Sequence, residues 1–97
     1  MATYVVLATL TDQGARTMQD LSRRLENARA TFSAQGAELK QIFFAMGPYD
    51  YLVIADAPDD ETITRVSLAV SSQGNVRTNS FRVFTEQEAL ELVEGIR

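Results

Sequence analysis

The chain has 97 residues, 45% hydrophobic and 23% charged, the makeup of one unit around a single core rather than of a disordered segment. It has no Cys and no His, which removes thiol nucleophiles, disulfides, imidazole bases, zinc fingers and haem held through His. A net charge of −4 opposes a protein that tracks nucleic-acid phosphates.

The apolar runs fall far short of the roughly 18–20 residues that a bilayer span needs, and no secretory-signal pattern opens the chain. The expected location is therefore cytoplasmic. Residues 3–10 (TYVVLATL) are rich in β-branched and aromatic side chains and read as a strand, broken by Thr11-Asp12-Gln13-Gly14. From about Ala15 to Gln35, Met18, Leu21, Leu25, Ala28 and Phe32 lie three or four apart and predict one helix with a single apolar stripe. Its outer face carries Arg23, Arg24, Glu26 and Arg29, and Met18 is expected in the core.

Residues 37–46 form a second predicted strand and residues 49–57 (YDYLVIADA) a third. Between them Gly47-Pro48 is too short a connection for anything but an antiparallel hairpin, with Gly47 held extended before the proline. Pro58-Asp59-Asp60-Glu61 opens a helix whose acids complement the dipole, and Ile63, Val66 and Val70 mark its buried side. Those acids need no metal to explain them. Residues 75–84 make a fourth strand, the most polar of the set, and Thr85-Glu86-Gln87-Glu88 is a capping box for a last helix with Ala89, Leu92, Val93 and Ile96 inward.

The order β-α-β-β-α-β-α gives an α+β fold: a ferredoxin-like βαββαβ sandwich with a four-stranded antiparallel sheet, plus a C-terminal helix, in one domain over residues 1–97. An antiparallel sheet with helices on one face normally alternates apolar and polar residues. Here Tyr4, Val6 and Ala8 oppose Val5 and Leu7, Tyr51, Val53 and Ala55 oppose Leu52 and Ile54, and Phe43 opposes Ile42 and Phe44. Both faces of three strands are apolar, so something must cover the second face. Either a second copy packs sheet to sheet, closing a dimeric α+β barrel, or the C-terminal helix folds across. The second copy is the preferred cover, because a helix of roughly 12 residues is short for that task.

Four pieces in order support a family resemblance: Thr11-Asp12-Gln13-Gly14, Met46-Gly47-Pro48-Tyr49-Asp50, Ala57-Pro58-Asp59-Asp60-Glu61 and Gly74-Asn75-Val76-Arg77-Thr78. With them the chain resembles the GYD-domain family, small proteins named for a Gly-x-Tyr-Asp hairpin. The resemblance implies the dimeric α+β-barrel form of the ferredoxin-like fold and no particular activity. The variable motif position, often polar or basic, is Pro48 here, so a ligand contact from that side chain would be missing.

The candidate ligand-binding residues are Tyr49, Asp50, Tyr51, Arg77 and Asn79. Tyr49 and Asp50, beside Gly47 and Pro48, either present a hydroxyl and an acceptor at the barrel mouth or serve only the turn. Arg77 with Asn79 either grips a carboxylate or enolate or keeps an edge strand from unwanted pairing. Tyr51 either lines a ligand cavity or packs in the core. The composite expectation is a homo-oligomeric binding module whose partners are its own copies and a small apolar molecule. No cofactor, metal, nucleic acid or membrane is expected. The alternative is a cofactor-independent monooxygenase or isomerase, in which Tyr49, Asp50, Tyr51 or Arg77 would do the acid–base work.

Overall fold

A computed structural model describes residues 1–96. Its elements in chain order are β1 (Ala2–Leu10), α1 (Asp12–Arg16), α2 (Leu21–Ala34), β2 (Glu38–Phe44), β3 (Tyr51–Ala57), α3 (Asp60–Ser71), β4 (Val76–Val83) and α4 (Glu86–Glu94). The strands form one antiparallel sheet in the order β2-β3-β1-β4, the ferredoxin-like arrangement. Both α2 and α3 pack on the same face. Tyr4, Val6, Val53, Ala55 and Ala57 of the sheet meet Phe32 of α2 with Ile63 and Val66 of α3 there, forming the main core.

The long helix predicted from Ala15 to Gln35 is broken in two. Thr11 caps a short α1, its hydroxyl accepting the Gly14 N–H at 3.1 Å. At Thr17 the backbone leaves the helix (φ −117°, ψ 35°), while the Thr17 hydroxyl donates back to the Gln13 carbonyl at 2.8 Å. A 3-10 turn at Met18–Asp20 re-aims the chain before α2. The offset leaves Met18 36% exposed rather than in the core, and only residues from Leu21 onward keep the apolar register.

The hairpin also differs from expectation. Strand pairing ends at Phe44 and resumes at Tyr51, so the link runs over residues 45–50, closed by the Ala45 N–H donating to the Asp50 carbonyl at 2.8 Å. Gly47 has φ +100° and is not simply extended. A side chain there would be strained, whereas Pro48 fixes the next φ.

Two predicted caps are in place. Asp59 caps α3, accepting from Thr62 through its hydroxyl at 2.6 Å and its N–H at 2.8 Å, and those bonds hold the Asp59 carboxyl below its ordinary range. Thr85 and Glu88 form the capping box of α4. α4 nevertheless packs differently from expectation: none of its residues is buried, and Leu92, Val93 and Ile96 are exposed. It does not bury its stripe on the open sheet face.

Candidate functional site

Direct partners across an antiparallel ladder share a face, so the register shows what the uncovered face carries. Val5 lies opposite Ile54 on one side and Phe81 on the other, Leu7 opposite Leu52 and Asn79, and Phe43 opposite Leu52. These side chains form one apolar patch, with Phe43 50% and Phe81 46% exposed. Asn79 and, opposite Thr9, Arg77 lie at the polar end of the same face. An apolar centre with a polar, arginine-bearing margin is the makeup of a protein–protein contact surface.

The polarity of β4 has a second cause, which the sequence did not reveal. Its other face turns toward α3, where Ser67 and Ser80 hydroxyls meet at 2.6 Å and Ser71 and Thr78 hydroxyls at 3.1 Å. Thr78 therefore fastens the edge strand to a helix. Arg82 ties β4 to the start of α4, lying 4.7 Å over the Phe84 ring and 3.8 Å from the Glu88 carboxylate.

Asp50 is bound into the backbone of β1. Its carboxylate accepts the Leu10 N–H at 2.8 Å, and its own N–H donates to the Ala8 carbonyl at 2.9 Å. Both bonds pin the end of β1 to the hairpin. Tyr49 beside it is half-buried.

Tyr51 points to the opposite side from Arg77 and Asn79. It pairs with Ala8 and Phe44 on the helix-covered face, edge-on to the Phe44 ring at 4.9 Å. Only 8% exposed, it lines a cavity of about 80 Å³ between the sheet and helices α2 and α3, walled by Leu25, Ala28, Ile42, Val53 and Val70 among others. Its buried hydroxyl has no hydrogen-bond partner. Such a group costs about 1–3 kcal/mol if nothing meets it. Burial pushes this hydroxyl above its ordinary pKa, and the positive charge of Arg24 works in the opposite direction.

Arg24 is the residue that sequence reasoning missed. Assigned to the outer face, it lines the cavity, and its guanidinium donates to the Gly14 carbonyl at 3.2 Å and the Thr17 hydroxyl at 3.3 Å. The spacing Leu21, Arg24, Ala28 was the available signal, since steps of three and four put Arg24 on the edge of the apolar stripe. The five candidate residues are thus not brought to one place. Arg77 and Asn79 occupy the open sheet face, Tyr51 the interior between sheet and helices, and Tyr49 and Asp50 the hairpin.

An antiparallel α+β sandwich with two helices on one face and a bare apolar sheet on the other defines the class. The chain belongs to the GYD-domain family, whose model matches residues 4–93. It is similar to a Thermus thermophilus protein named glutamine synthetase and cystathionine beta-lyase binding protein, 33% identical over 79 residues, which are 80% of this chain and 83% of that one. Among solved structures, a Thermus thermophilus protein matches with a TM-score of 0.56 at 20% identity, over 88% of this chain and 95% of its own. The leucine response regulatory protein of Mycobacterium tuberculosis matches with a TM-score of 0.65 at 18% identity, over 87% of this chain. The chain spans about half (51%) of that regulator's length. At these identities the structural likenesses speak for the fold alone. No described helix is long and apolar enough to cross a membrane.

Proposed function

We propose that this chain is a protein-binding module that assembles with its own copies through the open sheet face and docks on a partner enzyme. The observation that carries the assembly is the apolar patch of Val5, Leu7, Phe43, Leu52, Ile54 and Phe81, which no helix of the same chain covers. Area supports it. A monomer of 10.7 kDa would expose about 5,500 Å². This chain exposes 6383 Å², an excess of about 900 Å², close to the roughly 800 Å² that one partner of a standard interface contributes. Two sheets packed face to face leave Arg77 and Asn79 at the margin of the contact, where they serve orientation more than affinity. Part of the excess area belongs to α4, whose free stripe is a second surface for a partner.

The partner class rests on the relative's name, which specifies two metabolic enzymes, and on a site whose candidate acid–base residues are dispersed over separate places. Native mass spectrometry tests the assembly: the wild type is expected as a dimer or larger, and Ile54→Arg as a monomer, since a buried unpaired charge opposes the contact. A monomeric wild type defeats the proposal. Biolayer interferometry against purified glutamine synthetase and cystathionine beta-lyase tests the partner class. Binding to neither removes enzyme docking while leaving the assembly result intact.

A further inference from the structure

The cavity between the sheet and the two long helices lies inside one protomer and away from the open face, so a ligand there does not depend on the assembly. Its walls are largely apolar, formed by Leu25, Ala28, Phe32, Ile42, Val53 and Val70. Two polar groups break that lining in a way packing does not explain. The Tyr51 hydroxyl is buried without a partner, and Arg24 lines the same cavity. Arg24 bonds only neutral acceptors, the Gly14 carbonyl, the Thr17 hydroxyl and the Met18 sulfur, and among the described residues it enters no ion pair.

Beyond Arg24 a polar groove continues, sharing Arg24, Gln73 and Asn75 with the cavity and also lined by Gln13, Asn27 and the ion pair of Asp20 with Arg23 (3.2 Å), which leaves the Asp20 carboxylate engaged by Arg23 rather than Arg24. The apolar interior therefore gives way to a polar outer end, with the unpaired Arg24 at the transition and the Tyr51 hydroxyl in the cavity wall.

We propose that this cavity is a binding site for a small branched aliphatic carboxylate. Its alkyl tail fills the space against Leu25, Ile42, Val53 and Val70, and its carboxylate accepts from the Tyr51 hydroxyl and is paired by Arg24. Three features select that class. A donor with no acceptor calls for an acceptor on the ligand. A cation without an acid partner calls for that acceptor to be anionic. The volume of about 80 Å³ is below the roughly 150 Å³ of a cavity known to take benzene, which limits the buried part of the ligand to a short alkyl tail and leaves the carboxylate toward the polar end.

The test is a methyl-resolved NMR titration of the full chain with isovalerate, alongside 3-methylbutan-1-ol, which has the same tail and no charge. Saturable shifts are expected at the methyls of Leu25, Ile42, Val53 and Val70, with the alcohol binding about tenfold or more weakly. Tyr51→Phe should weaken isovalerate about five- to tenfold and Arg24→Gln about tenfold or more, with the methyl spectrum of each free variant still that of a folded chain. Should Arg24→Gln fail to fold, the acid–alcohol comparison on the wild type still decides the role of charge. The proposal is overturned by no saturable shift, by equal binding of acid and alcohol, or by unchanged affinity in both variants. Shifts confined to Val5, Leu7, Leu52 and Ile54 also overturn it, since they would put the ligand between sheets of two protomers.

Discussion

Asp50 shows how a motif residue can be occupied by structure. Its carboxylate serves the Leu10 N–H while its backbone serves Ala8, so the last pair of the Gly-x-Tyr-Asp hairpin ties two strands together. Asp50→Ala should destabilise the chain by about 1–2 kcal/mol, because it strips a half-buried N–H of its acceptor. Asp50→Asn keeps an oxygen there and should recover most of that loss. Urea denaturation of the pair checks this, and equal stability of Ala and wild type would contradict the assignment. Tyr4 carries a pH prediction. Burial and then its hydrogen bond to Asp60 push the Tyr4 hydroxyl up to about 12 from 10.0. The unfolded chain thus releases this proton before the folded one does, and its contribution to stability is complete below about pH 10. Between about pH 10 and 12 that contribution falls away as pH rises. Urea midpoints at roughly pH 9 and pH 11 should show a drop in the wild type that is smaller in Tyr4→Phe, which has nothing to titrate.

At the scale of elements, the packing of α1 against the approach to β4 depends on Gly14. A Cβ there would stand 2.1 Å from the Asn75 carbonyl oxygen, while the Thr11 N–H donates to that same oxygen at 3.0 Å and the Thr11 hydroxyl to the Gly74 carbonyl at 2.6 Å. Gly14→Ala should therefore cost about 2–4 kcal/mol, read as a fall in the denaturation midpoint with an unchanged slope. Helix α4 behaves in the opposite manner. It has its capping box but no packing surface, so Thr85→Ala should loosen α4 by about 1 kcal/mol. The body's melting midpoint should then move by no more than about 0.5 kcal/mol equivalent. Circular dichroism would record lost helicity without a shifted main transition. A large shift would mean that α4 is packed in solution, as on a neighbouring copy.

The whole molecule is elongated, 53 × 30 × 17 Å, with a radius of gyration of 14.6 Å against about 12.5 Å for a compact chain of this length. Shape, excess area and the bare sheet face all bear on the proposed self-association. If the folded state is an oligomer, mass action makes its stability depend on concentration. The melting temperature should then rise with protein concentration in the wild type and stay constant in Ile54→Arg. A concentration-independent wild type would speak against the assembly as firmly as a monomeric mass.

Much of this architecture is local chemistry, and local chemistry is written in sequence. Runs of β-branched and aromatic residues marked the strands, Thr85 with Glu88 marked the last helix, and apolar residues on both faces of β1, β2 and β3 announced an uncovered face. Other features are long-range and needed the fold. The break at Thr17 depends on α1 closing onto Gly74 and Asn75, about 60 residues away along the chain. The division of Tyr51 from Arg77 and Asn79 follows from register, which sets face by parity and cannot be read from one strand alone. The cavity beside Tyr51 is a property of how two helices meet a sheet, so no spacing in the chain could have disclosed it.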